Sequence, residues 1–213
     1  MTEPASGERA AAGSSSEEAA AASSRVSRAL LDAALARAIT ALAHDLRNAL
    51  GVVSMQVEVI AIRAASAQPD VSAIAASASV ASDHIERLAE MINAMIAFAR
   101  GRASSDLAVI VAESVALVPM RQVQVSAPAA VSVGVDPSLT RAVALEVLIL
   151  ALGTRGTPAL AVTANPDGAT LQVITGAPLV PDATLEWVVQ FAKVGGRIDS
   201  TADGVRLQFP PIA

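Results

Sequence analysis

Two long segments without proline constrain this chain more than any other feature of its sequence. The first runs from Arg25 to Ala67, with Gly51 as its only glycine, and the second runs from Ile74 to Arg102. In both, apolar residues recur at alternating steps of three and four, the spacing of a helix that packs along a coiled-coil-like seam. Between them lies AQPD, where Pro69 disfavours helix in the preceding residue. The pattern predicts an antiparallel hairpin of two long helices over residues 25–103.

A two-helix hairpin cannot bury both sides of its apolar seam by itself. Pairing with a second copy would complete a four-helix bundle, so we expect a homodimer. The alternative is that the hairpin packs against the C-terminal half of the chain.

The C-terminal half, residues 104–213, has a mixed pattern. Segments in which β-branched and polar residues alternate predict strands at VQVSAP, VSVGVD, ALAVTA, TLQVIT and in the last fifteen or so residues. Apolar runs predict helices at 107–117, 138–153 and 182–195. NPDG between two strands predicts a β-hairpin. Strands in a row with helices on one side make the expected fold class α+β, with an α/β sandwich after the helical hairpin.

Composition excludes several classes of function. The net charge is −5 and aromatic residues make up 2% of the chain, which argues against a nucleic-acid partner. Cysteine is absent, so there is no thiolate metal site, and we expect no metal site; a reducing cytoplasm fits. Charges interrupt every long apolar stretch, so no membrane segment is expected. Residues 1–24, rich in alanine, serine and acids, are expected to form a disordered leader.

One of the two histidines, His44, lies in the stretch AHDLRNALG of the first helix. The seam residues Leu42 and Leu46 each lie about 200° from it around a helix, so the ring is expected to face solvent. An exposed, neutral imidazole can act as a nucleophile when another group holds its second proton.

Three neighbours of His44 could support such chemistry. Asp45 can orient the ring or accept its proton, and Asn48, one turn further on, could align a water or a phosphoryl oxygen. Arg47 adds positive charge where phosphate oxygens would gather. The alternative is that these four residues simply form a solvated helix face.

The segment HDLRNALGVV resembles the H-box of bacterial sensor histidine kinases, and DHIERLAEMINAMIAFARG is similar to the second helix of the same dimerisation and histidine-phosphotransfer (DHp) domain. The resemblance implies that His44 is the phosphoacceptor and that Asp45 assists phosphotransfer. It also implies that Asn48 occupies the position that the family uses to dephosphorylate a response regulator.

The C-terminal half resembles the Bergerat-type ATP-binding domain of the same family, but it departs from the pattern at the nucleotide site. Glu146 keeps an acidic residue, whereas Leu150 stands where a Mg²⁺-binding asparagine is expected and Thr175 where an adenine-binding aspartate is expected. The lid and its glycine-rich segment are missing, since TGAPLVPDATLEWV leads directly into the last helix. Leucine cannot ligate Mg²⁺. We therefore expect a degenerate domain that does not bind ATP.

An intact histidine motif beside a degenerate ATP site resembles the histidine phosphotransferases of the ChpT type. That resemblance implies a phosphorelay enzyme that shuttles phosphoryl groups between response-regulator receiver aspartates through His44. Its partners would be receiver domains, with a hybrid histidine kinase as a further candidate, and Mg²⁺ would be supplied by the receiver. Helical position suggests four candidate contacts with the receiver, which are Arg47, Leu50, Ser54 and Val57.

Two other functions remain open at this stage. One is a non-catalytic, pseudokinase-like protein that binds a kinase or a response regulator. The other is a phosphatase that drains a response regulator through a water aligned by Asn48.

Overall fold

The computed structural model describes residues 8–100, 104–118, 122–128 and 130–212, with side chains described from residue 18 onward. Within these ranges the chain is a mixed α+β protein with five helices and one five-stranded sheet. The helices are α1 (Glu8–Ala64), α2 (Val71–Arg100), α3 (Leu107–Ala116), α4 (Pro137–Leu152) and α5 (Glu186–Lys193). The strands are β1 (Gln124–Ser126), β2 (Ala159–Asn165), β3 (Gly168–Ile174), β4 (Arg197–Thr201) and β5 (Gly204–Phe209).

Helices α1 and α2 lie antiparallel and are joined at the predicted break. Asp70 caps α2, because its Oδ1 accepts a hydrogen bond from the backbone N–H of Ala73 at 3.0 Å. At the other end of the pair, the Arg28 guanidinium donates to the backbone oxygen of Ala99 at 3.4 Å. None of the helices in the described residues is long and apolar enough to cross a membrane.

The first helix begins earlier than the sequence suggested. It is helical from Glu8, so the prediction of a disordered leader is wrong for residues 8–24, and residues 1–7 lie outside the described residues. Two physical effects explain the extension. Alanine has the highest helix propensity, and prolonging an existing helix requires no new nucleation.

The first part of α1 is covered on two sides, by α2 and by α4. Ala38 and Leu42 share a small apolar cavity with Leu145, Leu148 and Ile149 of α4. Leu31 and Ala34 are also buried. The hairpin therefore packs against the C-terminal half of the chain along this part of α1, which is the arrangement that the sequence offered as the alternative to pairing with a second copy.

The sheet has the strand order β1-β2-β3-β5-β4, in which β1 and β2 are parallel and all other neighbours are antiparallel. The β2–β3 hairpin forms at NPDG as predicted, and Gly168 adopts a φ of +127° at its tight turn. Helices α4 and α5 pack on the sheet. Trp187 and Phe191 of α5 are buried, and Phe191 meets Phe209 edge to face at 4.8 Å between ring centroids.

One predicted strand, VSVGVD, does not form. In its place Ser132 makes a single bridge to Asp106, whose carboxylate accepts a hydrogen bond from the N–H of Val131. The same carboxylate caps α3 by accepting from the N–H of Ala108 at 2.9 Å. Val131, Val133 and Val135 are buried. Their alternation therefore arises from burial of every second residue in a connecting segment, without a strand.

Candidate functional site

The candidate site is an exposed stretch of α1 just beyond the part that α4 covers. The side chain of His44 is 73% exposed. Arg37 lies seven residues earlier, within about 20° of His44 around the helix and about 10 Å from it along the axis. We call the part of the chain from residue 104 onward the α/β unit. Because Arg37 binds Glu146 of α4, this unit packs on the same side of the hairpin as His44.

Two neighbours approach the same nitrogen of the His44 ring. The amide nitrogen of Asn48 lies 3.1 Å from Nδ1, within hydrogen-bond distance. A carboxylate oxygen of Asp45 lies 3.6 Å from Nδ1, and the Asp45 side chain is only 12% exposed. Asp45 and Asn48, the two neighbours that the sequence assigned to chemistry, therefore both lie at the Nδ1 edge of the His44 ring, and Asn48 is within hydrogen-bond distance of it.

The four predicted receiver contacts are all exposed, and they lie within an arc of about 80° to one side of His44. Arg47 and Ser54 lie about 60° and 80° from His44 around α1, whereas Leu50 and Val57 lie about 120° and 140° away. Sequence reasoning missed Met55, which is 52% exposed and lies about 20° from His44, three turns further along α1. Its spacing of eleven residues was the available signal.

Exposed aliphatic side chains form a stripe on each helix of the hairpin. We call the two stripes together the open apolar face, which comprises Ile39, Leu50 and Val57 of α1 and Ile85, Ile92 and Ile96 of α2.

The two stripes lie on one side of the hairpin. The stripe is rotated from the buried face by roughly 80° in α1, where Leu42 and Ala49 represent that face, and by roughly 50° in α2, where Ala81 and Leu88 represent it. The sense of rotation is the same in both helices. Since the helices are antiparallel, rotations of the same sense bring both stripes to the same side. The predicted seam is therefore two surfaces, one closed within the chain and one exposed.

The positions that correspond to the expected nucleotide site are occupied by contacts within the chain. The Glu146 side chain is 8% exposed and accepts a hydrogen bond from Nε of Arg37 at 2.7 Å, with a second from the Arg37 Nη2. Leu150 is partly buried against the hydrophobic core. The Thr175 hydroxyl donates to the backbone oxygen of Ala177 at 2.8 Å.

The connection from β3 to α5, where the resemblance implied a missing lid, is held by hydrogen bonds within itself and to β5. The N–H of Leu179 donates to the Gly204 oxygen at 3.1 Å. Asp182 accepts from both the N–H and the hydroxyl of Thr184 at 2.8 Å. These bonds, first the backbone one and then the side-chain one, lower the pKa of the Asp182 carboxyl.

A second ion pair, which the sequence did not reveal, joins α3 to α4 and places its guanidinium against the hairpin. Arg141 of α4 is 1% exposed, and its Nη2 lies 2.7 Å from a carboxylate oxygen of Glu113 in α3. The guanidinium carbon lies 5.3 Å from the ring centroid of Phe98, which is buried near the end of α2. This contact ties three helices together at the base of the hairpin.

Two cavities that the described residues line lie away from His44. Two grooves of about 350 and 320 Å³ lie at the Gly168 end of β3 and share Asp167, Gln208 and Phe209. This is the end of the strand opposite Thr175. His44 is on an open helix surface, which suits chemistry that takes place against a second macromolecule.

Comparisons with known proteins give no family assignment. No family model matches the chain, and no curated protein matches it. A solved structure described as a bacterial phosphotransferase is similar over 83% of this chain and 94% of its own, with 14% identity and a TM-score of 0.44. The Acinetobacter baumannii histidine kinase AdeS is similar over 78% of this chain and 97% of its own, with 13% identity and a TM-score of 0.39. Since both TM-scores are below 0.5, neither likeness assigns a function.

Proposed function

We propose that this chain is a histidine phosphotransferase of a cytoplasmic two-component phosphorelay, in which His44 receives a phosphoryl group from one receiver domain and passes it to another. The observation that carries this proposal is the exposed His44 ring with Asn48 and Asp45 at its Nδ1 edge. An exposed imidazole can reach an aspartyl phosphate held by a second protein. A carboxylate beside the ring can hold or accept the proton that the reaction displaces.

The proposed transfer balances without any cofactor on this chain. Nε2 of His44 attacks the phosphorus of a receiver aspartyl phosphate, a nitrogen–phosphorus bond forms, and the receiver carboxylate leaves with its electron pair. The proton on Nδ1 passes to Asp45 or to water. The second transfer reverses these steps toward another receiver aspartate. Mg²⁺ would belong to the receiver, where carboxylates provide the hard oxygen ligands that it prefers.

We further propose that the hairpin pairs with a second copy through the open apolar face. That face lies on the opposite side of the hairpin from α4, so both packings of the hairpin can exist together. Burying it would remove Ile85, Ile92 and Ile96 from water, and because each is already about half buried, each would gain roughly half of the 1.5 to 3 kcal/mol that full burial of such a side chain contributes. Leu50 and Val57 would then belong to the dimer interface.

Assigning the open apolar face to the dimer also decides which residues remain available to a receiver. Arg47 and Ser54 lie between the open apolar face and His44, and Met55 lies on the His44 face. We propose that these three residues border the docked receiver. Arg47 would sit near the phosphoryl oxygens, to which a guanidinium can donate two parallel hydrogen bonds.

The proposal excludes ATP as the phosphoryl donor. Three features support this part of it: Glu146 is engaged by Arg37, a leucine stands at position 150, and the Thr175 hydroxyl is bonded to its own chain. A carboxylate held in an ion pair would have to break that pair before it could assist phosphoryl transfer.

The direct test is to incubate the full chain with a receiver domain that carries a labelled aspartyl phosphate. Label should move to this chain, with the acid lability and base stability of a phosphoimidazole. The His44→Gln variant should take up none, and His84→Gln, which alters the other histidine, should take up label like the parent. ATP with Mg²⁺ alone should label neither.

Other outcomes identify the competing functions. Labelling of His44 by ATP alone would contradict the exclusion of ATP. Receiver dephosphorylation that persists in His44→Gln and is lost in Asn48→Ala would indicate a phosphatase. Binding to the receiver or to a kinase with no transfer in the parent chain would indicate an interaction protein.

A further inference from the structure

The two groups that approach Nδ1 of His44 demand opposite proton positions on the ring. An amide N–H is a donor, so a hydrogen bond from Asn48 requires a lone pair on Nδ1 and leaves the ring proton on Nε2. A carboxylate is an acceptor, so a hydrogen bond to Asp45 requires a proton on Nδ1 and leaves the lone pair on Nε2. Only the second tautomer exposes a nucleophilic Nε2.

The distances favour the first tautomer in this structure. Asn48 Nδ2 lies 3.1 Å from Nδ1, whereas the Asp45 oxygen lies 3.6 Å away, beyond the normal range of a hydrogen bond. Both residues are fixed relative to the ring by the same helix, Asn48 four positions after His44 and Asp45 next to it.

We infer that Asn48 sets the tautomer of His44, holding Nδ1 as an acceptor in the resting chain and again after phosphorylation. In the resting chain this keeps the proton on Nε2 and makes uptake of a phosphoryl group slower. During uptake the ring turns to Asp45, Nδ1 carries the proton, and Nε2 attacks.

The second part of the inference rests on the proposed function. Once Nε2 is bonded to phosphorus, the Nδ1 proton leaves to Asp45 or to water, and the neutral ring again has a lone pair on Nδ1. The Asn48 amide can donate to this lone pair. It then competes with a proton for Nδ1, and a protonated ring is the better leaving group. Asn48 is therefore a positioning residue that slows uptake and lengthens the life of phosphohistidine.

Nitrogen NMR on the full chain tests the tautomer without any phosphoryl transfer. The chain has two histidines, so each ring can be assigned with one variant after labelling with ¹⁵N-histidine. At about pH 9 an ordinary imidazole is neutral, and the shifts of its two nitrogens report the proton position. The parent chain should show His44 with the proton on Nε2.

Two substitutions of Asn48 give opposite expectations. Asn48→Asp is nearly the same size but can only accept at this pH, so the proton should move to Nδ1. Asn48→Ala should give a mixture, with the ratio of tautomers changed by about two- to tenfold, the range expected for one net hydrogen bond. His84, on α2, serves as the internal reference whose signals should stay unchanged. A parent ring with its proton on Nδ1, or the same tautomer in all three proteins, would overturn the inference.

Phosphoramidate, a small phosphoryl donor for histidine, tests the second part without a receiver. Asn48→Ala should be phosphorylated faster than the parent and should lose its phosphoryl group faster in buffer, each by about two- to tenfold. If Asn48 had a merely structural role, Asn48→Ala would slow the uptake of the phosphoryl group and speed its loss. Slower uptake with an unchanged lifetime would overturn this part. The failure of receivers to exchange phosphoryl groups with His44 would instead contradict the proposed function and leave the tautomer result standing.

Discussion

The two parts of α1 differ in how completely the other helices of the chain cover them. Residues 27 to 42 are closed on two sides by α2 and α4, with Leu31, Ala34 and Ala38 buried. From residue 43 to residue 64, α1 has Ala49 as its one buried side chain and carries the exposed Leu50, Val57 and Ile62. His44 lies at the boundary. The helix therefore packs against α4 with one half, and the other half carries the proposed phosphoacceptor and exposed apolar surface.

Because of this difference, we expect the first half of α1 to matter mainly for stability and the second half mainly for the proposed function. A side chain in the first half contributes to folding through contacts that are complete within the chain. A side chain in the second half can contribute fully only when a second molecule covers it, because exposed apolar surface gains nothing until it leaves water. Substitutions of similar size should thus have different consequences in the two halves.

The largest effect is expected on assembly. Ile92→Glu places a charge in the centre of the open apolar face, and burying an unpaired charge costs more than the face can offset. Light scattering should then give the mass of one chain, 21.5 kDa, while the parent gives twice that value. Val80→Glu is the matched control, since Val80 is exposed on the same helix but about 140° from the stripe, and it should stay dimeric. A monomeric parent chain would contradict the proposed dimer.

The next effect concerns folding. Leu31→Ala removes a side chain that is 1% exposed and should lower the free energy of unfolding by about 2 to 5 kcal/mol, measured by urea titration. Ile62→Ala makes a comparable truncation in the exposed half, away from the open apolar face, and should change it by less than about 0.5 kcal/mol. Equal losses would mean that the second half of α1 is covered within the chain.

The sequence predicted the hairpin and its break because steps of three and four record which side of a helix is apolar. The same steps cannot record what covers that side. Leu42, buried within the chain, and Val57, exposed, both follow the seam pattern. The packing of α1 on α4 was even harder to predict from the sequence. It uses the alanines and aliphatic residues of one face of α1, and α4 lies about a hundred residues further along the chain.

A smaller effect is expected from the ion pair beside His44. Arg37→Ala leaves the nearly buried Glu146 without this partner and should lower the free energy of unfolding by about 1 to 3 kcal/mol. Arg28→Ala is the control, because Arg28 and Asp32 are both exposed, such pairs contribute about 0 to 1 kcal/mol, and the other bond of Arg28, to the Ala99 oxygen, is long and exposed at 3.4 Å. Adding Glu146→Gln to Arg37→Ala should recover part of the loss. No difference between the two arginine variants would show that the pair does not hold the units together.

For the site, the sequence supplied residue types and helical spacing, which placed His44, Asp45 and Asn48 near one another. It could not supply the contact of Asn48 with Nδ1, because side-chain rotamers decide whether the amide turns to the ring or to solvent. Nor could it show that Glu146 binds Arg37, since ion pairs between distant segments leave no periodicity. The residue types of the candidate site were thus easier to predict than the contacts between them.

The smallest effect is expected where α1 begins. Deleting residues 1–24 removes 17 of the 57 helical residues of α1, yet residues 18–26 are all exposed. Circular dichroism should lose helical signal while the free energy of unfolding changes by less than about 0.5 kcal/mol, because an exposed helical extension is stabilised mainly by its own propensity. Deleting residues 1–31 is the matched control, since it also removes the buried Ser27, Leu30 and Leu31 and should destabilise the chain clearly. A large loss of stability or of dimer from the shorter deletion would show that the early helix contacts a second copy, and the boundary between closed and open parts of α1 would then have to be extended to its first turns.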